Sequence, residues 1–186
     1  MTGTAAERGV KYRGLRGWLG EVEKLGELER VSGASWDVEM GALTHMLTEK
    51  SRGTAPALLF DDVPGYPKGY RTLYGQLSSI RRIALTLGLP LDYERKVDIV
   101  QRYHARMQDL KPLPPRYVND GPILENVIEG DAIDVLKFPV PRHHEADKAR
   151  FIGTACAVMT KDPDDGWINL GAYRSQVYDG DRKSVV

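Results

Sequence analysis

Cysteine is nearly absent from this chain: Cys156 is the only one. A disulfide framework within one chain is therefore excluded, and a cysteine zinc site nearly so. Basic excess is absent as well. The 26 Lys and Arg are matched by 26 Asp and Glu, so no surplus of cations is available to neutralise a phosphate backbone. No apolar run is long enough to span a bilayer, and no N-terminal stretch joins a charged head to an apolar body. No repeat recurs at solenoid periods. These absences point to a reducing, cytoplasmic compartment. The 186 residues, 41% hydrophobic and 28% charged, suffice for a globular core.

Helical periodicity opens the chain. Leu15, Trp18, Leu19, Val22 and Leu25 share one face, with Gly26 placed for a C-cap. Glu27 to Val31 predicts a short strand. Asp37 is placed to cap a helix carrying Val38, Ala42, Leu43, Met46 and Leu47. The run from Pro56 to Val63 reads as a strand closed by Pro64 and Gly65. Ser78 or Ser79 starts a helix with Ile80, Ile83, Ala84 and Leu87, which Gly88 and Pro90 end. Another helix carries Val97, Val100, His104 and Met107 on one face.

The stretch from Lys111 to Pro115 is too rich in proline for a helix and favours an extended connector. It marks the expected boundary between residues 1–111 and 112–186. Beyond it, Arg116 to Val118 and Leu124 to Ile128 read as extended. Helices early and antiparallel strands late give an α+β class. After a turn over Tyr178 to Arg182, Lys183 to Val186 reads as the opening of a strand with little to pair with, so the chain is expected to be part of something longer.

The chemistry is expected in the hairpin Phe151–Tyr178. Two β-favouring runs flank a turn made by Asp162, Pro163, Asp164, Asp165 and Gly166. The second run carries Asn169 and Arg174 among apolar neighbours, and a buried Arg needs an anionic partner or ligand. Positions five apart on a regular strand point to opposite faces. One shared site therefore requires a bend between them, and Gly171 is the natural place. The alternative is an exposed Arg and a turn-facing Asn on opposite sheet faces.

Other candidates have plainer readings. His143 and His144 with Glu145 could ligate a metal, but adjacent residues of an extended chain face opposite ways. Cys156 sits beside Ala155 and Ala157 as a small core residue, with no cationic neighbour in sequence to activate it. The acidic turn lacks the spaced ligands of a calcium loop. GYPKGY lacks the spacing of a phosphate loop, and Tyr66, Tyr70 and Tyr74 read as packing.

Several stretches in the same order resemble the UbiD-type decarboxylases, which use prenylated FMN. They are LRGWLGEVEKLGELERV, PALLFDDVPGYPKGYR, LKFPVPRHHE and FIGTACAVMTKDPDDGWINLGAYRSQVYD. The resemblance implies a small N-terminal α/β segment followed by part of a split β-barrel, flavin-reductase-like, flavin-binding domain. It implies that Asn169 ligates a divalent metal, usually Mn2+, that holds the flavin phosphate. Arg174 would contact the flavin within a network of glutamates near the substrate, as the catalytic residue. Thr154 would line the flavin site, with backbone groups around Leu170, Ala172 and Tyr173 against the cofactor and the Leu170 backbone on a K+ ion. The implied reaction is reversible, non-oxidative decarboxylation of an aromatic or α,β-unsaturated acid.

The sequence departs from the family pattern in two ways. In the family a histidine and a glutamate farther along complete the metal site, and the catalytic glutamates lie farther still. The sequence stops before these positions, so the chain is expected to need a further segment or partner subunit. Ala146 to Arg150 lacks the paired glycines of the family. A homo-oligomer is also expected. Two further readings fit the same residues: a non-catalytic flavin-binding or maturation module, and an assembly subunit whose edge strand pairs with another chain.

Overall fold

The structure, a computed structural model, describes residues 9–52, 54–111, 113–114, 116–177 and 183–185. The order is α1 (Gly14–Lys24), β1 (Leu28–Ser32), α2 (Glu39–Lys50), β2 (Ala57–Asp61), β3 (Thr72–Tyr74), α3 (Ile80–Leu87), α4 (Lys96–Gln108), β4 (Arg150–Lys161), β5 (Ile168–Val177) and β6 (Lys183–Val185). Two three-stranded sheets have the orders β1-β2-β3 and β4-β5-β6. The α+β class is as expected. Two compact units divide the chain: Met1–Arg30, Met46–Leu59 and Leu73–Glu125 in one, Val31–His45, Phe60–Thr72 and Asn126–Val186 in the other.

In the first unit the helix signals act as the sequence indicates. Trp18 and Val22 of α1 join Ala57 and Leu85 in a buried cluster. Gly26 takes φ 69°, which glycine adopts without steric cost, just past the helix end. Ser79 caps α3 by accepting from the Arg82 N–H, and Gly88 ends it in the left-handed conformation. Alternating periodicity is absent from β2 because it is the middle strand: Ala57, Leu58, Leu59 and Phe60 are all buried.

Burial inside this unit holds one surprise. Arg82 of α3 is 0% exposed. Its Nη1 donates to Glu27 Oε2 at 2.9 Å, and its Nη2 donates to the carbonyls of Ala55 (2.6 Å) and Gly75 (3.0 Å). The Ser79 hydroxyl also donates to Glu27 Oε2. Trp18 Nε1 donates to Thr86 Oγ1 at 3.0 Å, and that hydroxyl donates to the Arg82 carbonyl at 2.7 Å. Burial lowers the Arg82 pKa from its ordinary value, and Glu27 opposes the shift by charge and hydrogen bond.

Several expectations are corrected. Asp37 does not serve as a simple helix cap: its carboxylate accepts from Arg142 Nε at 2.6 Å, and residues 37 and 142 form a parallel bridge. The start of α2 is tied instead by Glu39, which accepts from the Ser35 N–H at 2.7 Å. In α2 the buried residues are Met40 and Gly41, while Met46 is exposed. Gly41 is required there, because a Cβ would collide with the His143 carbonyl.

On α4 only Ile99 is buried, and the face of Val97, Val100 and Met107 is open. No strand forms over Arg116 to Val118 or Leu124 to Ile128. Short 3₁₀ turns occur at Pro122–Leu124, Gly130–Ala132 and Val135–Lys137. Pro112 and Pro115 of the expected connector, the turn Tyr178 to Arg182 and Val186 lie outside the described residues. The last strand does find a partner: Lys183, Ser184 and Val185 pair with Val177, Gln176 and Ser175. Among the described residues no helix is long and apolar enough to cross a membrane.

Removing one member of a buried ion pair leaves the other charge and the bonded carbonyls uncompensated. Arg82→Ala is expected to destabilise the first unit by about 3–5 kcal/mol in equilibrium urea unfolding. Arg82→Lys should recover only a part, since an ammonium lacks the planar fork that reaches all three acceptors. A loss below about 1 kcal/mol for the alanine variant would contradict this account.

Candidate functional site

The hairpin β4–β5 is closed by its own acidic turn. Asp162 Oδ1 accepts from the N–H groups of Asp164 (2.8 Å) and Asp165 (3.2 Å), and Asp165 Oδ1 accepts from that of Trp167 (2.7 Å). Gly166 supplies φ 77°. These carboxylates act as loop-internal acceptors, in keeping with the turn read from sequence.

Register decides which side chains meet. From Lys161↔Ile168 to Cys156↔Tyr173 the antiparallel pairing runs without a break, straight past Gly171. The expected kink at Gly171 is therefore absent. The irregularities lie on β4. Thr154 and Ala155 stand between Gly153 and Cys156, where β5 has only Arg174. Ile152 stands between Phe151 and Gly153, where β5 has nothing. Each is one extra residue on β4, the signature of a β-bulge.

With β5 regular, its side chains partition by period two. Ile168, Leu170, Ala172 and Arg174 fall on one face, Asn169, Gly171, Tyr173 and Ser175 on the other. The first face is bare and apolar: Ile168 is 66% exposed, Leu170 65%, and Met159, paired with Leu170, 75%. The second is more covered, with Asn169 and Gly171 half-buried and Ser175 buried. Leu170, Ala172 and Arg174 thus share a face, and Thr154 lies in the bulge across from Arg174. Asn169 and Tyr173 lie on the opposite face. Gly171 has a different purpose from a bend: the Tyr173 ring lies across it, in the space a Cβ would need.

Arg174 is exposed and makes no hydrogen bond or ion pair with another described residue. Its guanidinium lies 5.5 Å from the centroid of the Phe151 ring. The other face of the sheet start is held by Arg150, stacked 3.8 Å over Trp36, with Nε donating to the Val140 carbonyl (2.6 Å) and Nη2 to the Tyr66 hydroxyl (2.5 Å). His143 stacks on Phe151 at 6.1 Å and 25°, while His144 is exposed. Cys156 Sγ fills the space beside Gly153. Sequence reading missed Phe151 and Arg150, whose only local signal is an Arg-Phe pair opening a β-run.

A flat apolar face with one guanidinium at its end suits an aromatic anion. A divalent cation is a different matter. Asn169 offers one carboxamide oxygen, and among the described residues no group of three or more His, Cys, Asp or Glu could hold a metal. These residues alone do not fit a manganese site.

Comparisons with known proteins agree with the resemblance. The model of the 3-octaprenyl-4-hydroxybenzoate carboxy-lyase N-terminal domain matches residues 19–101, and that of its Rift-related domain residues 116–186. The pyrrole-2-carboxylic acid decarboxylase of Pseudomonas aeruginosa is 35% identical over 152 residues, covering 77% of this chain and 29% of the relative. The closed form of the vanillic acid decarboxylase of Sedimentibacter hydroxybenzoicus is 30% identical with a TM-score of 0.81, covering 95% of this chain and 37% of that one. An evolved dimeric form of the UbiD-class enzyme HmfF of Pelotomaculum thermopropionicum, in complex with prFMN, is 30% identical with a TM-score of 0.72, over 92% of this chain and 38% of that one. The chain spans about a third of the length of these relatives.

Two measurements check the local geometry. In a Tyr173→Ala background, Gly171→Ala should stabilise by roughly 0.5–1 kcal/mol, the ordinary cost of glycine in a strand. With Tyr173 present, that gain should vanish or reverse, because the ring must leave. Equal effects in both backgrounds would contradict the ring placement. For His143, burial lowers the pKa from 6.5, the Asp147 carboxylate opposes this and the His144 charge adds to it. Below pH 6.5 the unfolded chain then binds a proton that the folded one refuses, so this contribution to stability falls as pH drops. His143→Gln should flatten that part of the profile of urea midpoint against pH.

Proposed function

The chain belongs to the UbiD family of carboxy-lyases, and from that premise we propose that it supplies the flavin-binding hairpin of a decarboxylase. The reaction is reversible, non-oxidative loss of CO2 from an aromatic or α,β-unsaturated acid, with prenylated FMN as cofactor. In this reading β4, β5 and β6 are strands of a split β-barrel of the flavin-reductase kind. The observation that carries the proposal is the bare face of Met159, Ile168, Leu170 and Ala172 with the Arg174 guanidinium at its end, unpaired among the described residues.

When bound, prenylated FMN supplies the electron-accepting chemistry that loss of CO2 demands. The chain's own residues bind and orient. Leu170 and Ala172 cover a ring system and exclude water from it. Thr154, in the bulge, offers a hydroxyl across from Arg174, and Tyr173 contributes its backbone. Arg174 pairs with an anion, fixing the plane of a carboxylate by two parallel N–H donors. Return of a proton to carbon is assigned to a carboxyl group that this face does not contain. Asn169 is proposed as one ligand of a Mn2+ ion, and the Leu170 carbonyl as one ligand of K+. Their remaining ligands must come from outside the residues described. A partner segment or subunit, in a homo-oligomer, fits that need.

Flavin fluorescence tests the proposal without turnover. FMN titrated against the wild-type chain should be quenched saturably. Leu170→Glu, a charge placed on the bare face, should abolish the quenching, and Arg174→Ala should weaken binding by about tenfold, the loss of one charged hydrogen bond. Asn169→Ala should leave FMN binding by this chain unchanged, since the residues described do not complete a Mn2+ site. Saturable binding that is indifferent to Leu170→Glu would place the flavin elsewhere and overturn the reading.

A further inference from the structure

We infer that Phe151, braced by His143, is the positioning residue that holds the Arg174 guanidinium at the end of the bare face of the hairpin. The inference rests on the proposed role of Arg174 and goes beyond it, because it identifies what holds that side chain in place.

The register makes the contact. Without the extra residues of β4, Phe151 would pair two places beyond Gln176. The two single-residue insertions draw it back to pair with Gln176 itself. A shift of two places preserves the face. Phe151 therefore stays on the face of Gln176 and Arg174, and becomes the diagonal neighbour of Arg174, within reach of a long side chain. One insertion alone would have turned the ring to the opposite face.

The ring is itself fixed. The Phe151 N–H donates to the Pro141 carbonyl at 2.8 Å, which anchors the strand start. The His143 ring lies nearly parallel to the Phe151 ring, at 6.1 Å and 25°. His143 is in turn held on the segment whose carbonyl abuts Gly41. A guanidinium 5.5 Å from such a ring centroid is within cation–π range. Among the described residues no hydrogen bond or ion pair of the Arg174 side chain competes with this contact. An arginine side chain left to itself samples many rotamers, and ordering it on binding weakens affinity. A stacked ring removes part of that disorder beforehand, and leaves the N–H donors at the guanidinium edge free for an anion.

Nuclear magnetic resonance of the full chain tests this directly, because it has three phenylalanines, Phe60, Phe138 and Phe151. Arg174→Met, at an exposed position, should move the ring signals of Phe151 and leave those of Phe60 and Phe138 in place. Phe151→Leu should shift the Arg174 Nε–Hε signal toward that of a free arginine and weaken FMN binding about two- to fivefold, the worth of an exposed cation–π contact. Phe151→Tyr should restore both.

Unchanged Phe151 signals in Arg174→Met overturn the inference, even where Phe151→Leu does not fold. So does an FMN affinity lowered by Arg174→Ala but untouched by Phe151→Leu, with the role of Arg174 left standing. If instead the ring signals move while Arg174→Ala leaves FMN binding unchanged, the positioning contact holds and the flavin role of Arg174 fails.

Discussion

The ion pair of Arg82 with Glu27 sets the terms on which the first unit folds. A wholly buried guanidinium is tolerated only with a counter-charge and with its N–H directions answered. The answers come from fixed places: Glu27 just before β1, the Ala55 carbonyl just before β2 and the Gly75 carbonyl just after β3. One side chain of α3 thereby ties down a point flanking each strand of the sheet. Apolar contacts around Trp18 and Leu85 supply cohesion but are non-directional. Hydrogen bonds at 2.6–3.0 Å discriminate between arrangements that burial alone would accept. Among the described residues only Nε is left without a partner, a residual cost that the bonds of Nη1 and Nη2 must outweigh.

Such a residue is hard to read from sequence. Periodicity sorts Arg82 with the polar positions of α3, although it lies on the side that carries Ala84 and Leu85 into the core. The signals that were legible are local ones: Ser79 and Gly88 at the ends of α3, Gly26 after α1, the apolar run of β2, and the Asp-Pro-Asp-Asp-Gly turn. Each works through its own backbone geometry or its immediate neighbours. The failures concern partners distant in sequence. Asp37 looked like a cap because nothing nearby announces Arg142, 105 residues on. The α4 stripe shares a face as its spacing indicates, but spacing does not say whether anything covers it, and Val97, Val100 and Met107 are exposed.

The candidate site divides the same way. Family resemblance named the residues to examine, but their distribution over the two faces of the sheet was not legible in the sequence. That depends on register, and register depends on where extra residues enter β4. Gly171 drew attention as a glycine within a strand, and two physical reasons compete for such a glycine: a bulge or a close approach. The ring of Tyr173 shows it to be the second. The bulges fall at Ile152 and at Thr154–Ala155, positions with no distinctive residue type, where only the pairing reveals them.

The face partition constrains any cofactor served by both Asn169 and Arg174. Five residues of strand separate them by on the order of 16 Å, and they project to opposite sides. On the β4 edge no compact ligand can touch both, since β4 pairs along this stretch. The shorter β6 pairs only with Ser175, Gln176 and Val177, and leaves the other edge of residues 169–174 open among the described residues. Asn169, however, is the second residue of β5, next to the turn that ends the hairpin. A long ligand lying along the Leu170 face can pass over that end and meet a carboxamide there. An elongated anion with a flat apolar body at the Arg174 end satisfies this geometry, and a small, round one does not. The shape requirement follows from the register together with the roles that the family resemblance implies for these two residues.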